Sequence, residues 1–563
     1  MFCGVCEEQQ GERPWFHCEG KCTCNIANDD QSAIHAQRPH TAAALAALAA
    51  AAALAAAAAA AAAPRAKLPL ALTLALPLVL LIALVCARTL ALKGAGHAPP
   101  IDDGFSDAEA LARCEKRALD FAVRLRDALR CKTVSYDASE CTEALATMSR
   151  AELAKLHRLI RKSFPLVHAK LRRTVINEGS LVYEWVGSDA SLLPYVAYAH
   201  LDVVPVPDAE RWSADPWAGE IKDGYVWGRG AIDDKHAVFG HLEAIEDLLA
   251  SGHVPRRTIF LCLGHDEEIG GKEGAAHIAR HLSDRGVRLD FLLDEGLFIV
   301  EGVLPAHRKP VALICVAEKG YLTARLSVET PPGHASAPPA EGAVGILARA
   351  VSRLERSPFP TRQTSMRALL GALVGGFHGP LAPVMANLWL FGPLVAHILG
   401  AKPKTATLVR TTTALTVFRA GAKENVLPCE ATALVNHRIH PGDSVDSVLT
   451  RDRAVVNDAR VRIEPTSWTE PSPVSSVGHA AYTHLAACVR EIFPGAAVAP
   501  GLFVAASDSK HFWGLTDQIF RFSPVTLRND ELDMFHGTNE RIGVRNYAKL
   551  VAFFRAFHKR ASS

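Results

Sequence analysis

Four short segments of the chain present carboxylates or imidazoles beside glycines or at the end of an apolar run: YAHLDVVPV around His200 and Asp202, WGRGAIDDK around Asp233, GHDEEIGG around Glu267 and Glu268, and LLDEG around Asp294. A fifth, FHGTNE around His536, lies far along the chain. Mixed nitrogen and oxygen donors suit a borderline divalent ion such as zinc. A carboxylate that gives one oxygen to each of two ions holds them about 3.5–4 Å apart, the spacing used in two-metal hydrolysis. The chemistry indicated is metal-assisted hydrolysis, which needs no serine or cysteine nucleophile.

His200 and Asp202 are two residues apart, so on a strand both point to one face. The imidazole can bind a metal while the carboxylate fixes the ring through its other nitrogen; alone, such a pair is as readily a strand cap. In GRGAIDD, Gly228 and Gly230 permit close backbone approach, Arg229 can brace the loop, and the acidic pair Asp233–Asp234 is either a metal bridge or a solvated turn. Glu267 and Glu268 are adjacent, and like charges disfavour joint ionisation. A cation resolves the conflict if one carboxylate binds it while the other takes a proton from water and returns it to a departing amine.

Together these motifs resemble peptidase family M20, in its carboxypeptidase S and N-acyl-amino-acid hydrolase branch, from near residue 115 to near residue 560. The resemblance implies His200, Asp233, Glu268, Asp294 and His536 as ligands of two Zn2+ ions, with Co2+ or Mn2+ as substitutes. It also implies Glu267 as general base and Asp202 as the acid that orients His200, and it alone chooses Glu267 over Glu268 and Asp233 over Asp234. The segments PPGHASAPP and RTTTALTVFRAGAKENVLP resemble the family's lid. There His334 would stabilise an oxyanion, in some relatives across a homodimer interface, and Asn387, Arg410 and Arg438 would hold the substrate's carboxylate or carbonyl. The expected activity is that of a carboxypeptidase, cleaving the amide next to a free carboxylate in short peptides. The alternative is an N-acyl-amino-acid hydrolase or synthase. A noncatalytic metal-binding or receptor-like protein is the reading from another class, and it would lead us to expect a lost ligand or base, which these motifs do not show.

Elements must bring these distant residues together. LLPYVAYAH, RTIFLCLG and LDFLLDEG are apolar runs that end in the candidate donors, as in open α/β sheets whose sites lie at the carboxyl ends of strands. Helical spacing at 119–129, 144–160 and 236–250 alternates with them, so the expected fold is α/β, a mixed or parallel sheet with helices on both faces. From about 319 the pattern changes to alternating strands and a helix at 344–354, followed by a long apolar segment at 367–400. The expected organisation is therefore a catalytic domain at 107–318 and 461–563 with an inserted α+β lid at 319–460.

With 61 basic and 59 acidic side chains the chain has no global attraction to nucleic acid, which is excluded as a partner. Residues 1–67 form a cysteine- and alanine-rich tail carrying Cys3, Cys6, Cys18, Cys22 and Cys24, and 88–106 reads as a linker. Between them, LPLALTLALPLVLLIALVCA at 68–87 is predicted to be a transmembrane helix. The basic residues before it predict a single-pass, type II arrangement with the catalytic part in a vacuolar or secretory lumen or outside the cell. Secretion after signal cleavage is the alternative. In an oxidising lumen Cys131 and Cys141 would be able to pair.

Overall fold

The computed structural model describes residues 68–95, 108–302, 304 and 307–563. The expected cysteine- and alanine-rich tail, 1–67, and the linker positions 96–106 lie outside the described residues. The chain divides at Ala87–Arg88, and everything below concerns Arg88–Ser563 apart from helix α1, Leu68–Ala95.

Among the described residues no helix is long and apolar enough to cross a membrane. This overturns three linked expectations: a spanning helix at 68–87, membrane attachment through it, and the single-pass type II placement that rested on it. Arg88 itself is engaged by protein, its Nε donating to Ala386 O at 3.0 Å.

The centre of the fold is an eight-stranded mixed sheet. Its strands are β1 (Arg172–Ile176), β2 (Ser180–Trp185), β3 (Tyr195–His200), β4 (Ile259–Gly264), β5 (Leu292–Glu301), β6 (Val311–Glu318), and, after the lid strands, β11 (Ala497–Phe503) and β12 (Ile519–Arg528). They lie in the order β1-β2-β4-β3-β5-β12-β6-β11. β3 and β4 run parallel, with His200 opposite Gly264, and β5 runs parallel to β3 with Val196 opposite Leu292. Every residue of β3 and β4 is buried, as their apolar runs require of strands covered on both faces. Helix α2, Lys235–Ala250, and the C-terminal helix α8, Val544–Ala561, share one core with the inner face through Phe239, Leu242, Phe553 and Phe557.

A second sheet of four antiparallel strands forms the lid: β7 (Gly320–Glu329), β8 (Thr412–Ala420), β9 (Glu430–Ile439) and β10 (Val461–Thr469), in the order β8-β9-β7-β10. Helices α3 (Ala343–Arg356) and α7 (Val445–Val456) cover it around Leu322, Leu347, Val435 and Val448. The mixed α/β core with a lid region matches the expected fold class.

The apolar segment at 367–400 behaves differently from its sequence reading as lid. It breaks into α4 (Thr364–Ala372), α5 (Leu381–Ala386) and α6 (Leu388–Gly400). These helices share a separate core with Val311 of β6 and Ala499 of the edge strand β11. An outermost strand needs cover on its apolar side, and the hydrophobic pattern does not say which sheet supplies the partner. Cys131 and Cys141 are both free, the first buried and the second exposed.

Candidate metal centre

The donors meet where the carboxyl ends of β3 and β4 adjoin β5. His200 is the last residue of β3 and only 1% exposed. Its Nδ1 side faces Asp202, with the backbone oxygen at 3.1 Å and Oδ1 at 3.3 Å, and its Nε2 lies 3.0 Å from Asp233 Oδ1. Asp202 is held in turn by Ser135 Oγ, which donates to Oδ2 at 2.7 Å. Asp202 lies just past the end of β3, where its carboxylate orients one side of the ring and leaves the other nitrogen for a metal.

Asp233 precedes α2 on the loop after Gly230, and its other oxygen, Oδ2, lies 2.8 Å from His536 Nε2. The same imidazole nitrogen is 3.2 Å from Glu268 Oε2. Glu295 Oε2 lies 3.9 Å from His200 Nε2. Two donor sets result, His200–Asp233–Glu295 and Asp233–Glu268–His536, each with its ligand atoms within 4.8 Å of one another. Asp233 belongs to both, one oxygen in each.

The chemistry of these groups fits a pair of divalent cations. Three carboxylates and two imidazoles converge. Glu268 Oε1 is buried without a hydrogen-bond partner, which a cation would supply. The electrostatics carry the same strain. Burial pushes the Glu268 and Glu295 carboxyls up, and Asp233 beside them adds to the rise. Burial also opposes the charge on Asp233, but hydrogen bonds with His200 and His536 outweigh it and hold this carboxyl far below its usual range. His536 is raised to about 10 by its bonds to Asp233 and Glu268.

Glu267 begins the short turn Glu267–Ile269 after β4, and its backbone N–H reaches Asp202 Oδ1 at 3.2 Å. Desolvation, opposed by His200 and reinforced by Asp508, Glu268 and Asp202, keeps its carboxyl well above the ordinary value. Such a group suits a carboxylate that must accept and later release a proton.

Several expected site residues lie elsewhere. Asp294 is in neither donor set; both its oxygens accept backbone N–H groups, from Glu295 at 2.9 Å and Ser509 at 3.1 Å. Its neighbour Glu295, passed over in LLDEG, points to His200 instead, because successive strand side chains face opposite ways. Asn387 is fully buried at the corner between α5 and α6, donating to Pro383 O at 2.8 Å and accepting from Trp389 Nε1 at 3.1 Å. His334 is exposed on a two-residue lid strand, its Nδ1 2.7 Å from Ser336 Oγ. Arg438 stacks over the Tyr321 ring at 5.0 Å, and Arg410 Nε is buried without a partner.

One residue of the FHGTNE segment went unread. Glu540 is fully buried and accepts from Arg229 Nη1 at 2.7 Å, Gly230 N at 3.0 Å, Ile232 N at 2.7 Å and Asp233 N at 3.2 Å. It shapes the loop that presents Asp233. The visible signal was an acid four residues after His536 in a chain that also places Arg229 in the glycine-flanked loop before Asp233.

A mixed sheet that gathers two imidazoles and three carboxylates into adjoining sets, with a further carboxylate raised beside them, defines a metal-binding hydrolase of amide or peptide bonds. The chain belongs to peptidase family M20/M25/M40, whose model matches residues 196–560. It is 42% identical to an N-fatty-acyl-amino acid synthase/hydrolase of Xenopus tropicalis, over 78% of this chain and 85% of that protein. With a probable carboxypeptidase S-like protein of Dictyostelium discoideum it shares 40% identity over 77% of this chain and 84% of the other. Its fold resembles that of an M20 family metallo-carboxypeptidase from Sulfolobus solfataricus, with a TM-score of 0.56 and 18% identity over 77% of this chain and 97% of that one.

Proposed function

We propose that the protein hydrolyses, and in the reverse direction forms, the amide bond of N-acyl amino acids with two zinc ions as cofactors. The supporting observation is that relatives named N-fatty-acyl-amino acid synthase/hydrolase, 39–42% identical to this chain, outnumber the carboxypeptidase S-like relatives among its strongest matches. This reverses the order expected from the motifs, which favoured peptide cleavage. Carboxypeptidase activity is the second reading, supported by the 40% identity to the Dictyostelium protein.

In this reading His200, Asp233 and Glu295, with Glu268 and His536, would hold the two ions. The bound ions would polarise the scissile carbonyl and lower the pKa of water. The chain supplies the rest. Asp202 keeps the His200 ring in place, Glu540 keeps Asp233 in place, and the Glu267 carboxylate accepts a proton and delivers it to the leaving nitrogen. Arg410 and Arg438 are assigned to the substrate's carboxylate and His334 to the oxyanion. Asn387 is left out, because its amide is spent on the corner between α5 and α6. The test compares a long-chain N-acyl amino acid with dipeptides at equal concentration. A higher kcat/KM for the acyl substrate is expected; turnover of dipeptides alone would reject the proposal in favour of the carboxypeptidase.

A further inference from the structure

Arg521 lies on β12, opposite Asp294 of β5 and Cys315 of β6, and is 0% exposed. A guanidinium in the middle of a sheet cannot touch a substrate in the cleft, and keeping it there is costly unless its charge is met. Its Nε lies 2.8 Å from Glu318 Oε2 and donates to Ser509 Oγ at 3.0 Å and Ser507 Oγ at 3.3 Å. Ser507 is fixed to the same carboxylate, N to Oε1 at 3.2 Å and Oγ to Oε2 at 3.1 Å. Ser509 then donates its backbone N–H to Asp294 Oδ2, while Asp294 Oδ1 accepts the N–H of Glu295. An unbroken series of contacts thus leads from the buried cation to the peptide that carries Glu295. Asp233 has a comparable support, Arg229 acting through Glu540.

We propose that Arg521 and Asp294 are positioning residues: a buried brace that sets the direction of the Glu295 carboxylate and so tunes one of the two metal sites. This rests on the reading of Glu295 as a ligand. It gives Asp294 a role distinct from ligation, with both oxygens already committed to backbone. Ser507 and Ser509 are the intermediaries, and Glu318 balances the cation on the far side.

The test titrates the metal-free wild type and the variants Glu295→Gln, Asp294→Asn and Arg521→Lys with Zn2+ by calorimetry, with circular dichroism melts of each metal-free protein. Wild type should take two ions and Glu295→Gln should lose one. Asp294→Asn keeps the size of the side chain and one acceptor oxygen, and Arg521→Lys keeps the charge without the Nε–H that reaches Glu318, Ser507 and Ser509. Both should still take two ions, with one bound about 10–100-fold more weakly and the other unchanged. A purely structural lesion would weaken both together. Wild-type affinity for both ions in Asp294→Asn would overturn the brace, as would loss of an ion as complete as in Glu295→Gln, which would make Asp294 itself the ligand. Two wild-type ions in Glu295→Gln would instead overturn the ligand assignment on which the brace depends. If Arg521→Lys does not fold, the Asp294→Asn titration decides.

Discussion

Replacing Glu540 with glutamine should destabilise the protein more than any exposed ion pair could. The carboxylate is 0% exposed, and its partner Arg229 is 2% exposed. Each oxygen receives two donors: Oε1 those of Ile232 and Asp233, Oε2 those of Gly230 and Arg229. An amide keeps one oxygen. If it stays on the Ile232 side, the NH2 group faces two further donors, and Arg229 is left with only the His536 and Gly537 carbonyls at 3.3 and 2.9 Å. Breaking one side of a buried pair costs about 3–5 kcal/mol, against a total stability of about 5–15 kcal/mol. Arg460→Ala, which removes surface pairs with Asp458 and Glu341, should barely move the unfolding midpoint. Urea unfolding of the metal-free proteins measures both. A Glu540→Gln midpoint equivalent to less than about 1 kcal/mol of destabilisation would refute the argument that this acid holds the Asp233 loop.

Glu267→Gln should retain bound metal yet lower kcat by about 10²–10⁴-fold, read by metal analysis beside steady-state kinetics; equal rates would reject the assigned base. His536 is raised to about 10 by Asp233 and Glu268. Its protonated pairs therefore stabilise the metal-free fold fully below pH ~6.5 and progressively less as pH rises toward 10. Because zinc must displace that proton, apparent zinc affinity should rise between pH 7 and 9, with proton release visible in buffers of different ionisation enthalpy; a flat profile would contradict this. Gly271 has φ +69, and a Cβ there would fall 1.8 Å from Asp508 Oδ1. Gly271→Ala should cost about 2–5 kcal/mol, combining left-handed strain with overpacking beside the Glu267 turn, and a chemical denaturation curve tests it.

Much of the centre was legible because its donors end short, strongly patterned segments. YVAYAH and IFLCLG announce buried strands by composition, and His200, Asp233, Glu268 and His536 follow from motif and residue type. Where the placement differs from the sequence reading, the causes are local. In LLDEG two acids are adjacent, and only the pleat decides that Glu295 faces His200 while Asp294 faces Ser509. Asn387 is a polar residue in an apolar run, and spacing cannot tell a substrate donor from a helix-corner amide. The apolar stretch at 68–87 matched a membrane span in length, yet among the described residues no helix meets that requirement.

By itself the sequence picked out the segments that converge on the metal centre, since metal-binding residue types and strand periodicity are properties of short stretches of chain. Tertiary structure decided the supports: that Glu540 reaches back to the loop of Arg229, that Arg521 stands behind Asp294, and that α4 to α6 cover β11 rather than the lid sheet. Those contacts join residues far apart in the chain, and their energies depend on burial and register, which exist only once the sheet has formed.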